Sequence, residues 1–262
     1  MQNTLQRAAA ALAFAASVLL SANAHAVAVD LELALAVDVS GSVNASEFAL
    51  QRDAYVAAFQ SDAIQDAIAA GTIGSIAVNY YYWSSGAPTA QTGWTLIDSD
   101  GAADAFADDI LNLDPGFGAF ASTGIANALT FGVDELLDLN ADNGFEGERL
   151  VIDISGDGTE NVNTNAAVNA QRDRAEANDI TINGLAILTD VATLDDYYEA
   201  NLQTSDGFTV AAADFDAFQT AIEDKLEAEI IIDPPPNGDI PLPATVLLML
   251  AGLFAVGRFR RA

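Results

Sequence analysis

Hydrophobic and polar positions divide the middle of the chain into short apolar runs and longer mixed segments. Residues 30–37, 73–83 and 149–154 are apolar runs of the length and β-branched character of buried strands. Mixed segments with helical spacing lie between them, and the first opens at Asn44 with Glu47 three positions later, a capping-box pattern. This alternation predicts an α/β fold, doubly wound, with a mostly parallel sheet and helices on both faces.

The remaining elements follow from the same reasoning. Helices are expected over 44–70, 98–111, 124–139, 164–178, 194–202 and 213–229, and further strands over 95–97, 180–187 and 208–210. In sheets of this type, ligands bind at the loops beyond the carboxyl ends of the strands. Those loops are therefore where candidate chemistry should be sought.

The first strand runs directly into Asp38-Val39-Ser40-Gly41-Ser42. Alternate residues of an extended chain point the same way, so one carboxylate and two hydroxyls can converge on one small, hard cation. Thr123 and Asp157 lie on two further loops at the same predicted edge of the sheet. The sequence therefore predicts a divalent-cation site there.

These three segments resemble the metal-ion-dependent adhesion site of von Willebrand factor A domains, in which Asp-x-Ser-x-Ser is followed by a distant Thr and a distant Asp. The matching residues are Asp38, Ser40, Ser42, Thr123 and Asp157. The resemblance implies that the three hydroxyls bind the metal directly or through water, while the two carboxylates act largely through bridging waters. Mg²⁺ is expected, with Ca²⁺ or Mn²⁺ able to compete. Because neutral hydroxyls supply most ligands, the cation would accept a further carboxylate from a partner.

The resemblance extends over roughly residues 30–229 and narrows to a family. The matching segments are Trp83-Ser84, Thr123-x-Ile125-x-x-Ala128-Leu129, Arg149-x-Val151 to Gly158, Ile182 to Leu185, Asp196-Tyr197-Tyr198, and a last helix from Asp214-Phe215 to Lys225-Leu226. In this order they are similar to the DUF1194 group of exported, von Willebrand factor A-like bacterial proteins. That similarity implies cation-dependent binding rather than a known reaction.

Composition excludes several function classes. There is no cysteine, and the single histidine, His25, lies in the N-terminal segment, so the body lacks the residues for thiolate, Ser-His-Asp or imidazole–metal chemistry. All 38 acidic residues fall between Asp30 and Asp239, against five basic ones, for a net charge of about −33 over that stretch. Such a charge repels nucleic acid and anionic lipid headgroups.

Both ends of the chain carry export features. Arg7, an apolar run and Ala24-His25-Ala26 predict a signal peptide over 1–26, removed by signal peptidase, with an N-terminal membrane anchor as the alternative. One domain is expected over 27–232, followed by a proline-rich linker over 233–239.

Residues 240–262 combine Ile240-Pro241-Leu242-Pro243-Ala244, a short apolar stretch and an arginine-rich end. This tail resembles the VPLPA variant of the PEP-CTERM sorting signal, with Ile240 in place of the usual Val, and implies processing by an exosortase-type enzyme. The alternative is a permanent C-terminal membrane anchor.

The sequence favours an exported binding module at the cell surface or in the extracellular matrix. Its partner would offer an acidic group on a protein or an exopolysaccharide. Two alternatives stay open: a metal-dependent phosphatase using Asp38, which would need a second acid at position 40 and a nearby basic residue, and a structural acidic matrix protein that collects cations.

Local alternatives also stay open. Tyr80–Trp83 is either a carbohydrate-stacking platform or a strand packed on both faces, and Asp98–Gly101 is either a calcium loop or a helix cap. The stretch 140–148 is expected to be a polar turn. Ser155 and Asn161 either orient water near the site or cap backbone groups.

Overall fold

A computed structural model describes residues 26–231, except 87, 89, 116–121 and 140–142. The predicted signal peptide, proline-rich linker and sorting tail therefore lie outside the described residues, apart from Ala26. Within the described ranges, no helix is long and apolar enough to cross a membrane.

The elements alternate as the hydrophobic pattern predicts. The strands are β1 (Val27–Val29), β2 (Leu31–Asp38), β3 (Ile76–Trp83), β4 (Ala90–Gln91), β5 (Thr95–Ile97), β6 (Phe145–Gly147), β7 (Leu150–Gly156), β8 (Ile180–Ile187) and β9 (Thr209–Ala212). The helices are α1 (Ala45–Phe59), α2 (Asp62–Ala69), α3 (Asp100–Asn112), α4 (Ile125–Leu136), α5 (Asn165–Glu176), α6 (Leu194–Asn201) and α7 (Phe215–Ile231).

The main sheet has the order β4-β3-β2-β7-β8-β9, with β5 also paired to β3. Strands β3, β2, β7, β8 and β9 are parallel, and β4 and β5 run antiparallel to β3. Every residue of β2 is buried because helices cover both faces, which explains its nearly continuous apolar run. The chain crosses from the β3 side of β2 to its β7 side, and this change of direction opens a crevice at the carboxyl ends of β2 and β7.

Two helical layers enclose this sheet. Helices α1, α2, α3 and α7 pack together on one face, while α4, α5 and α6 cover the other. The predicted α/β architecture is confirmed. Tyr80–Trp83 is fully buried within β3, which confirms a strand packed on both faces. Ser99 caps α3 by accepting a hydrogen bond from the Ala102 amide at 3.3 Å, as the helix-cap interpretation requires.

Two predicted elements differ from the structure. The single helix expected over 44–70 is two helices, because Ser61 adopts an extended backbone and caps α2 by accepting from the Ile64 amide at 3.3 Å. The polar turn expected over 140–148 contains β6, which pairs in parallel with β1. The buried carboxylate of Glu32 holds β6 in place by accepting from the Gly147 amide at 2.6 Å, a long-range contact without a local sequence signal.

A buried ionic group joins α7 to the sheet. The Lys225 ammonium lies 2.7 Å from Asp153 on β7 and also contacts Glu229 one turn later on α7, and all three side chains are fully buried or nearly so. Burial raises the pKa of Glu229 to about 7, and the charge of Asp153 adds to the shift. Arg149 donates to the Glu229 and Ile230 carbonyls at 2.7 and 2.9 Å, which fixes the end of α7 beside the start of β7.

Candidate metal centre

The first loop of the site follows β2 and opens α1. Asp38 ends the strand with no exposed surface, and its Oδ1 accepts from the Ser40 amide at 2.7 Å. This contact turns the chain so that the Ser40 side chain is buried, while Ser42 remains exposed at the rim. Gln51 of α1 donates to the Asp38 carbonyl at 3.3 Å from below. The strand end is therefore held from both the loop and the helix.

The structure brings all five predicted ligands into one connected cluster. Ser40 Oγ lies 3.3 Å from Ser42 Oγ and 3.3 Å from Thr123 Oγ1. Ser42 donates to Asp157 Oδ1 at 2.6 Å, which joins the first loop to the third. Three hydroxyls and two carboxylates from three separate loops thus meet at the carboxyl edge of the sheet. Oxygens of this kind are what small divalent cations prefer.

The second and third loops are tied to each other. Asn161 Oδ1 accepts from the Thr123 amide at 2.8 Å, and the Asn161 amide donates to the Thr123 carbonyl at 2.9 Å. Glu160 accepts from the Ala126 amide at 2.8 Å, so its carboxylate lies at the start of α4, where backbone N–H groups lack partners. These contacts place Thr123 opposite Ser40. Asn161 therefore caps backbone groups, which was one of the two roles expected for it.

The site carries negative charge without a local basic partner. Burial raises the pKa of Asp38 to about 7, and the neighbouring Asp157 charge adds to the shift. Burial likewise raises the pKa of Asp157. The described basic side chains contact other groups, as follows: Arg52 with Asp53, Arg149 with the end of α7, Arg172 with Asp173, Arg174 with Asp134, and Lys225 with Asp153 and Glu229. A cation would supply the missing positive charge.

The donor set of the cluster suits a hard cation, and one of its oxygens is unpaired. Asp38 Oδ2 is fully buried and has no hydrogen-bond partner among the described residues. Such a group is costly unless something satisfies it. No cluster of three or more acidic, histidine or cysteine side chains arranged for a metal occurs in the described part of the chain, and three of the five side chains at this site carry hydroxyls instead. The residues fit a hard divalent cation.

Two glycines leave the space that the site needs. A Cβ on Gly156 would lie 2.8 Å from both Asp38 Oδ2 and Tyr198 Oη, which is closer than real Cβ contacts allow. A Cβ on Gly158 would lie 3.2 Å from Thr123 Oγ1. The Gly-Asp-Gly sequence thus lets the third loop approach the first two loops closely while presenting Asp157.

Several surrounding residues were not assigned a role from the sequence. Gln51 and Glu160 support the loops from distant positions, and Tyr198 of α6 faces the back of Asp38. Tyr198 belongs to the family-matching segment 196–198, which is the only signal that could have indicated it. Ser155, by contrast, was expected to orient water or to cap a backbone group; it is fully buried, and its hydroxyl instead lies 3.3 Å from Tyr55 Oη, beneath the site.

Comparison with known proteins agrees with this architecture. Residues 28–233 match the family model described as "Protein of unknown function (DUF1194)". No curated protein matches the sequence.

Solved structures show the same fold at low identity. Proximal thread matrix protein 1 from the mussel byssus is 14% identical with a TM-score of 0.53, covering 79% of this chain and 49% of that one. The same protein with a zinc-occupied MIDAS motif is 14% identical with a TM-score of 0.50, covering 77% and 46%.

The pilus adhesin SpaC from Lactobacillus rhamnosus GG is 14% identical with a TM-score of 0.53, covering 78% of this chain and 31% of that one. This chain therefore spans about half the length of the mussel protein and about a third of the adhesin. The likeness confirms an α/β fold of the von Willebrand factor A type.

Proposed function

Because this chain belongs to the DUF1194 family and joins three hydroxyls to two carboxylates at one edge of its sheet, we propose that it is an exported, divalent-cation-dependent binding and adhesion module. Its metal ligands are Asp38, Ser40, Ser42, Thr123 and Asp157. Mg²⁺ is the expected cation, and Ca²⁺ or Mn²⁺ can substitute. The single observation that carries the proposal is the contact network that links these five residues across three loops.

The site's own residues explain how binding would work. When bound, the cation supplies a Lewis-acidic position that takes an oxygen from a partner. Ser40, Ser42 and Thr123 would hold it without neutralising it, and Asp38 and Asp157 would act largely through bridging waters. Ser42 is exposed at the rim, so a partner can approach from that side. The preferred partner group is a carboxylate on a protein or an exopolysaccharide, since its charge completes the neutralisation.

Two proteins of similar structure support this proposal. One similar structure is named as a pilus adhesin, and another carries zinc in its MIDAS motif. We extend adhesion and metal binding to this chain as a proposal, and we place it at the cell surface or in the extracellular matrix. Residues 27–232 are then the exported domain, residues 1–26 its signal peptide, residues 233–239 a spacer, and residues 240–262 a sorting tail for an exosortase-type enzyme.

A phosphatase function is disfavoured by the position of the lysine. The alternative requires a basic side chain near Asp38 and a second acid at position 40, where this chain has Ser40. The one lysine, Lys225, is buried against Asp153 and Glu229 in the core. Its charge is thus paired with Asp153 and Glu229 within the core. We therefore propose binding rather than catalysis.

The experiment combines cation binding with partner capture. Calorimetry of the full-length protein with Mg²⁺, Mn²⁺ and Ca²⁺ should give a single site that Thr123→Ala removes. Thr130→Ala is the matched control, because that hydroxyl donates to the Ala126 carbonyl within α4. Material from the cell surface should be retained by the wild-type protein in the presence of Mg²⁺ and released when a chelator is added. Retention by Thr123→Ala at wild-type strength would refute the proposed mechanism.

A further inference from the structure

One side chain behind the metal centre has an unpaired polar atom directed at a ligand. Tyr198 lies on α6, packs in the core with no exposed surface, and its hydroxyl has no hydrogen-bond partner among the described residues. Neither the helix nor its packing requires a tyrosine, since phenylalanine would fill the same space. A buried hydroxyl without a partner is costly, so its presence calls for a reason.

The hydroxyl shares a gap with the unpaired oxygen of Asp38. Tyr198 Oη and Asp38 Oδ2 each lie 2.8 Å from the point where a Cβ on Gly156 would be. The two atoms are therefore no more than twice that distance apart, a span that one water can bridge. One is a donor and the other an acceptor, and both are buried and otherwise unpaired among the described residues. Gly156 keeps the gap between them open.

The opposite side of the same carboxylate is already fixed. Asp38 Oδ1 accepts from the Ser40 amide at 2.7 Å, so a partner for Oδ2 would hold the carboxylate at both oxygens. Groups that orient a metal ligand from behind commonly change metal affinity 10- to 100-fold when removed, as a general order of magnitude.

We propose that Tyr198 is a positioning residue of the cation site: its hydroxyl donates through one bridging water to Asp38 Oδ2 and fixes the orientation of that carboxylate. This inference rests on the proposed function, because it assumes that Asp38 serves a metal. The new element is that α6, which contributes no ligand, sets the affinity of the site. Tyr197, its neighbour, is turned elsewhere and donates to Asn165 at 2.9 Å.

The test uses the full-length protein and Mn²⁺ as the probe. Tyr198→Phe keeps the ring and removes only the hydroxyl, and it should raise the dissociation constant for Mn²⁺ about tenfold. Tyr81→Phe is the matched control, because Tyr81 is equally buried and its hydroxyl donates to the Ala128 carbonyl, away from the site. That variant should bind Mn²⁺ as the wild type does. Circular dichroism verifies that both variants are folded.

A spectroscopic readout separates positioning from packing. Cation binding at Asp38 should perturb the hydrogen bond of Tyr198 and give a tyrosine ultraviolet difference spectrum, which Tyr198→Phe loses and Tyr81→Phe keeps. Tyr198→Phe binding within twofold of wild type, or an unchanged difference spectrum, overturns the inference alone. Absence of Mn²⁺ binding by the wild type overturns the proposed function together with it.

Discussion

The buried ionic group at Lys225 permits a stability prediction that is independent of the metal. Lys225→Met keeps most of the side-chain volume but leaves Asp153 and Glu229 together in the core without a positive charge. Breaking a buried ion pair by removing one partner typically costs about 3–5 kcal/mol. A domain of this size loses about 2–4 °C of melting temperature per kcal/mol, so the expected loss is about 6–20 °C near neutral pH.

The pH dependence of that loss identifies its cause. Burial raises the folded-state pKa values of both Glu229 and Asp153 above those of the unfolded chain. At pH values between the unfolded-state and folded-state pKa values, the folded protein therefore binds more protons than the unfolded chain. The free energy of unfolding consequently rises as the pH falls through that window. Without Lys225 both carboxyls should be protonated more readily, so the gap in melting temperature between variant and wild type should narrow from pH 7.5 to pH 5.5.

Thermal unfolding followed by circular dichroism measures both quantities. The control carries Asp153→Asn and Glu229→Gln together with Lys225→Met, so that no ionisable group remains in the cluster. Its melting temperature should lie closer to wild type at pH 7.5, and the gap between the two should depend less on pH. A loss under about 2 °C for Lys225→Met, or a gap that is equal at both pH values, would refute the electrostatic reasoning.

Further predictions concern the cation site and export. A cation that binds only the folded state should stabilise the protein by about 2.7 kcal/mol at a hundredfold excess over its dissociation constant. An unchanged melting temperature and no calorimetric heat with Mg²⁺, Mn²⁺ and Ca²⁺ would reject the site. Asp157→Ala should abolish cation-dependent partner binding while the far-ultraviolet spectrum stays native, because the side chain lies on a loop. Intact-mass measurement of the surface or secreted form should show cleavage after Ala26 and near Pro241–Ala244; a mature species that retains Arg258–Arg261 would indicate a permanent anchor.

The sequence predicted which side chains meet at this edge of the sheet, but not which residues support them. The fold and the common edge of the three loops followed from apolar runs and the order of elements, because parallel strands bring their carboxyl ends together. The contacts of Glu32 with Gly147 and of Lys225 with Asp153 could not be predicted in this way, since each contact joins residues that are far apart in the chain. A local pattern reveals which residues are polar, but it cannot reveal which of them share a buried contact.

The break at Ser61 has a different cause. Helical spacing continues across 60–61, so periodicity alone favours one helix. The separate caps of α1 and α2 redirect the chain so that α2 packs on α7. The cap at Ser61, together with the packing of α2 on α7, thus outweighs the helical periodicity of this segment.

The position of the last helix has a mechanical consequence. Asp30, at the start of β2, lines the same cavity as Ile230 and Ile231 at the end of α7, whereas Asp38 ends β2 at the opposite edge of the sheet. If a partner is held at Asp38 and the chain beyond Ile231 is held at the cell envelope, tension between them runs nearly parallel to β2. That load would pass between the sheet and α7, across the Lys225–Asp153 contact and the hydrogen bonds from Arg149 to the Glu229 and Ile230 carbonyls. These contacts, rather than the ladder of any single strand, would resist the pull.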